Sequence, residues 1–224
     1  MVLAAGNWRV NSSARLAMGE LARMYWFPLY AYLRRRGSSP PQAEDLVQGF
    51  LVRLLDKDAL LSADRSKGKF RSFLLASLKH FLTNEWDKTH AQKRGGRQST
   101  LSLDALDAEA RYAAEPVEQM TPERLFDRRW ALAVLEQVLT RLRNEYTARG
   151  QGAIFTALEQ VLAGGPKTSY AQIAGQLTMT EGAIKVAAHR LRRRYREILR
   201  DEIAQTVSEP ALVDEEIRQL LASL

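Results

Sequence analysis

The sequence predicts an all-α protein, two small helical domains joined by a linker and followed by a C-terminal helical extension. Apolar residues recur three and four positions apart through most of the chain, and alternating β-branched runs bounded by turns do not appear. Breaks fall at Gly37 to Pro41, across Gly95 to Thr121, and at a GGPKTS turn ending at Ser169. With 224 residues the chain can hold one domain or two small ones. The expected layout is a first domain over 13–94, an acidic linker over 95–121, a second domain over 122–200 and an extension over 201–224.

The first helix is expected from about Ser13 to Arg36, with Leu21, Met24, Tyr25, Leu29, Tyr32 and Leu33 on a broad apolar face. Pro28 lacks an amide hydrogen and predicts a kink or a split in that helix. A second helix starts near Pro41, with Val47, Phe50, Leu51 and Leu54 inward and Glu44, Asp45, Gln48 and Arg53 outward. After a polar, glycine-bearing loop ending at Phe70, a third helix is expected over about Arg71 to His90, with Leu74, Leu78 and Phe81 inward. The weakly periodic stretch that follows reads as the linker, with room for a short helix around Leu103 to Tyr112. Thr121-Pro122-Glu123 restarts the helical pattern as cap, first-turn proline and dipole-favouring acid. That helix runs to about Arg149, and another is marked by Phe155, Leu158 and Leu162.

Ser169 to Tyr195 then reads as two short helices joined by a tight turn. Ile173 and Leu177 lie one turn apart on the first. Thr180 is the expected N-cap of the second and Glu181 sits at its positive end. Ile184, Ala187, Leu191 and Tyr195 recur on one face, so Lys185, Val186, His189, Arg190, Arg193 and Arg196 should point the other way. An apolar angle that locks two helices beside a narrow polar face is what a helix-turn-helix needs to enter the major groove. Past Arg200 the charge changes sign, and Ile203, Val207, Leu212, Ile217 and Leu220 form amphipathic turns broken at Pro210. This acidic tail is expected to fold back on the second domain or to meet a regulator; a simple capping helix accounts for the same residues.

The formal charge of +7 and a pI near 9.8 point to an acidic partner. Cysteine is absent, which excludes disulfides, cysteine-ligated zinc and thiol nucleophiles. The three histidines are scattered and show no metal-ligand spacing; no metal and no cofactor is expected. No phosphate loop or nucleophile elbow occurs, so the chain does not read as an enzyme. No apolar run approaches a membrane span and the first residues lack a signal-peptide core, so a soluble cytoplasmic protein is expected.

Three segments in this order resemble an RNA polymerase sigma factor of the extracytoplasmic-function class. AEDLVQGFLVRLL, from Ala43 to Leu55, is similar to the helix with which that family binds the polymerase clamp. FRSFLLASLKHFLTNEWDK, from Phe70 to Lys88, is similar to the helix that opens and reads the minus-10 element. The segment from Ser169 to Tyr195 is similar to the helix-turn-helix that reads the minus-35 element. The resemblance implies core RNA polymerase and promoter DNA as partners, with an anti-sigma or other regulatory protein as a further candidate.

By the same resemblance, Asp45, Gln48 and Phe50 belong to the polymerase surface, although Phe50 also fits the core. Lys79, His80, Asn84 and Lys88 are the minus-10 candidates; where the family often has Arg-Asn with an acid four residues after the asparagine, this chain has Lys79, His80 and Asn84. For the minus-35 element, Arg192, Arg193 and Arg196 suit phosphates, whereas Lys185, Val186, His189 and Arg190 lie nearer the groove floor. The acidic linker would thread a basic channel of the polymerase. The turn position that the family commonly fills with glycine is Thr178. Threonine at positive φ costs about 1 kcal/mol or more, which predicts a different turn there. An autonomous helix-turn-helix regulator binding duplex DNA as a dimer, with Ala211 to Leu224 as its self-association helix, is the competing reading.

Overall fold

The computed structural model describes residues 12–56, 69–91, 103–114, 120–162 and 169–224. Among them the architecture is all helical: α1 (Ser12–Arg35), α2 (Pro40–Asp56), α3 (Phe70–Ala91), α4 (Leu103–Ala113), α5 (Pro122–Ala148), α6 (Gly152–Leu162), α7 (Tyr170–Leu177), α8 (Glu181–Ala204), a 3-10 turn at Pro210–Leu212, and α9 (Val213–Ala222). The only extended pairing among these residues is an isolated antiparallel bridge between Lys69 and Val207. No helix among them is long and apolar enough to cross a membrane.

By contacts the chain divides into one unit of Met1–Ala133 with Ile203–Leu224 and a second of Val134–Glu202. The division runs through α5 and α8, and the C-terminal extension falls in the first unit together with residues 122–133 of the expected second domain.

The first unit is assembled around aromatic side chains of α1. Leu21, Tyr25, Leu29, Tyr30, Tyr32 and Leu33 are fully or almost fully buried. Such a wide apolar stripe can meet several partners at once. Tyr25 makes an edge-on contact with Phe70, at 5.5 Å between ring centres, and accepts a hydrogen bond from the buried indole of Trp130 at 3.0 Å. The Arg71 guanidinium lies 4.9 Å from the Trp130 ring centre. α1 continues across Pro28 instead of splitting. Proline removes one backbone bond, and the buried side chains of Phe27, Leu29 and Tyr30 hold both sides of that gap. The helix stops at Gly37, whose φ of +95° suits glycine alone, with Ser38 N–H returning to Leu33 O at 3.1 Å.

On α2 the inward face is Ala43, Val47, Phe50 and Leu54, spaced by three and four. Glu44, expected outside, is 4% exposed and accepts a hydrogen bond from Gln48 at 3.2 Å. Residues 103–113 of the expected linker form α4, which packs on α1 and α2. Its Glu109 is gripped by Arg34 Nη2 at 2.7 Å and by the Tyr30 hydroxyl at 2.7 Å, which holds the carboxyl below the usual glutamate range. That part of the linker is therefore a docked helix with a committed acid. Residues 95–102 and 115–119 lie outside the described residues.

The acidic tail closes the first unit through charge. Phe70 N–H donates to Thr206 O at 2.9 Å, and Glu216 on α9 is completely buried. Its carboxylate takes Arg71 Nε at 2.6 Å and Lys69 Nζ at 2.8 Å. Arg71 also reaches Gln219 at 2.8 Å and pairs with Asp127. Burial opposes the charge on Arg71, but its carboxylate partners outweigh that and raise its pKa on balance.

In the second unit, Val134, Val138 and Leu142 of α5 supply an inner face that Phe155 and Leu158 of α6 extend. Tyr146 and Phe155 rings lie 5.9 Å apart. Arg194 of α8 is clamped to Glu145 of α5 by two bonds of 2.8 Å, and Arg141 of α5 donates to Glu202 of α8 at 3.0 Å.

Candidate nucleic-acid interface

The interface is built on α7, the turn 178–180 and α8. Ser169 caps α7 through a reciprocal box with Gln172: the Gln172 N–H donates to the serine hydroxyl at 3.2 Å, and the Ser169 N–H donates to the glutamine side chain at 3.0 Å. α7 ends at Thr178 with φ 54° and ψ 42°, the left-handed conformation. The expectation of a different turn is thus corrected. Met179 N–H still reaches back to Ala174 O at 3.0 Å, so the closure usually given to glycine forms around a threonine. Thr180 then caps α8, its hydroxyl accepting from Ala183 N–H at 3.2 Å, as expected.

With both ends fixed, the rotation of α8 follows from its buried side. Ile184, Ala188 and Leu191 are the buried set, while Ala187 and Tyr195 are half-buried. Ala188 thus replaces Ala187 at the centre of the buried face. Lys185, Val186, His189, Arg190, Arg192, Arg193 and Arg196 are all exposed. Val186 is 51% exposed, which removes it from the core. His189 and Arg190 lie three and four positions after Val186, and Arg193 four and three after them, so the four form a single stripe. The cations beside it are partly engaged. Lys185 pairs with Glu181 at 2.7 Å, which raises the lysine pKa, and Arg192 donates to the Tyr170 hydroxyl at 3.3 Å. Arg193 lies 3.5 Å from Glu197. No family model, no curated protein and no solved structure matches the chain. An exposed stripe with one apolar and several cationic or imidazole side chains can take phosphates by charge and base edges by hydrogen bonds and methyl contact.

The minus-10 candidates are dispersed in their local chemistry. His80 is exposed, Asn84 is half-buried, and the side chain of Lys88 lies outside the described residues. Lys79 is committed to Glu123 at 2.8 Å, and this hydrogen bond raises the lysine pKa and lowers that of the glutamate. Of the polymerase candidates, Asp45 and Gln48 are exposed. Phe50 is corrected: it is 3% exposed and lies 5.7 Å from the Phe81 ring, so it packs the α2–α3 junction and presents no surface.

Asp45 and Lys79, assigned to different tasks, line one open groove of about 660 Å³ together with Leu33, Arg36, Leu46 and Glu85. Sequence reading missed Arg36 and Glu123 as neighbours of Lys79. The spacing along one helix carries no signal for a partner supplied by another element. Among the described residues no group of three or more His, Asp or Glu is arranged to hold a metal ion.

Proposed function

We propose that the chain is a promoter-specificity subunit of bacterial RNA polymerase, similar in design to an extracytoplasmic-function sigma factor. It binds core polymerase, reads upstream promoter DNA with the helix-turn-helix 169–195, and engages the downstream element with α3. The observation that carries the reading is the exposed stripe Val186, His189, Arg190 and Arg193 on a helix held by a capped three-residue turn. The three ordered sequence resemblances support the polymerase part. Asp45 and Gln48 are the exposed candidates for that contact. Exposed His80 and half-buried Asn84 remain the candidates of α3. No catalytic activity is assigned to the chain alone.

The competing dimer reading needs α9 as a self-association helix. Val213, Glu216 and Leu220 of that helix are already buried in the first unit, which counts against it. Run-off transcription with bacterial core polymerase on a genomic fragment library tests the proposal directly. Defined transcripts that depend on the added chain are expected. Failure to form a complex with core polymerase, together with tight binding of the chain alone to a palindromic duplex, would sink it.

A further inference from the structure

We infer that Val186 is a specificity-determining residue that reads the 5-methyl group of a thymine in the major groove. The inference rests on the DNA-reading role of α8 and goes further by naming the base and the group recognised. Among the described residues only four large apolar side chains are strongly exposed: Val52, Val186, Leu221 and Leu224. Val186 alone of these stands inside the cationic stripe, followed by His189, Arg190 and Arg193. The helix cannot turn to bury it. Ile184, Ala188 and Leu191 fix the opposite face in the core, and the Thr180 cap fixes the start.

The surroundings determine what kind of apolar target fits. Lys185 is drawn toward Glu181 and Arg192 toward Tyr170, so polar heads flank the valine without covering it. A protein partner would need a contiguous apolar patch, and one valine among cations offers none. A thymine methyl is an apolar target of methyl size set between phosphates, and apolar side chains contact it in the major groove. Valine is also nearly fixed at χ1 within a helix, so the contact costs little side-chain freedom. His189 and Arg190, one turn further on, are placed to hydrogen-bond the neighbouring base edges while Arg193 takes phosphate.

The test uses the full chain with bacterial core RNA polymerase. Duplexes enriched from a random library define the upstream element, and each thymine in it is then replaced singly by deoxyuridine, which lacks only the methyl group. For the native chain, one replacement should weaken binding about three- to fivefold, the value of one methyl group removed from water. Val186→Ala should lose most of the difference between thymine and uracil at that position while melting no lower, because the side chain is exposed and alanine is the better helix former. Enrichment of a specific element with no uracil-sensitive thymine, or sensitivity that persists in Val186→Ala, overturns the assignment of Val186 alone. Val186→Ala that loses polymerase and keeps its DNA preference overturns it in favour of a protein contact. No enrichment of any sequence overturns the DNA-reading role beneath it.

Discussion

Glu216→Gln is the sharpest perturbation of the fold, because it removes one charge from a buried cluster while keeping the shape of the side chain. The native carboxylate is completely buried and holds Arg71 at 2.6 Å and Lys69 at 2.8 Å. Removing one member of a buried pair costs about 3–5 kcal/mol, mainly because the remaining charge is left in a poor solvent. Here the lower end applies. Arg71 keeps Asp127 and Gln219, and Lys69 is 18% exposed and can turn toward water. The expected loss is thus about 3 kcal/mol, or roughly 6–12 °C in Tm for a chain of this size. Circular dichroism melts and urea titrations of Glu216→Gln should show it, with the loss of structure beginning in the C-terminal extension by hydrogen exchange. Replacing the buried pair together, Arg71→Met with Glu216→Leu, should recover part of the loss, since the two charges left behind, Lys69 and Asp127, are the partly exposed ones. A Glu216→Gln protein within about 1 kcal/mol of the native one would refute the account of how the tail is held.

Three further outcomes follow from particular contacts. Tyr25→Phe leaves the buried Trp130 N–H without its acceptor and should destabilise by about 1–3 kcal/mol, read from urea midpoints. Thr178→Gly should stabilise the second unit by about 0.5–1 kcal/mol in a thermal melt, because relief of the left-handed strain exceeds the extra freedom of glycine in the unfolded chain. Glu145 and Glu109 are held below the ordinary glutamate value of 4.5, by Arg194 and Arg34 respectively. Their contribution is therefore complete above that pH and is lost as pH falls through their lower native values, so urea midpoints should drop between about pH 5 and pH 3; midpoints constant over that range would contradict it.

Much of the helical frame was legible because local chemistry and burial agree. The start at Pro122, the cap at Thr180 and the break at Pro210 are set by groups within a few residues, and each element begins or ends where those groups place it. Periodicity likewise identified the outward face of α8, although it centred the buried side on Ala187 instead of Ala188. Two small residues side by side give the pattern no weight to choose between them. What stayed illegible depended on partners distant in sequence. The tail is expected to dock or to cap, but nothing in its sequence points to Arg71 and Lys69 as the partners of Glu216. Glu44 carries the charge of an outer-face residue and is nonetheless buried, and Glu109 turns a linker segment into a docked helix. Thr178 departs from expectation for another reason: its left-handed φ forms all the same, held by the backbone bond from Met179 and the cap after it.

The basic run Arg190 to Arg200 shows why charge counts alone do not locate a binding surface. Half-buried Arg194 is held by Glu145 and Glu197 of the same unit, and it holds the Glu145 carboxyl below the usual glutamate range in return. Arg190 and Arg196 lie on the outer side and are exposed. The same residue type therefore does two different jobs, set by an angular offset of one or two positions on a 3.6-residue repeat. The outer set is the one exposed to an acidic partner. Its stripe is narrow, and it starts at Val186, close to the turn, where a helix entering the major groove approaches base edges most closely. On the proposed DNA-reading role, the phosphate candidates Arg193 and Arg196 come later along the axis, so that reading and holding would be separated along a single helix, a division that a uniform arginine face would not produce.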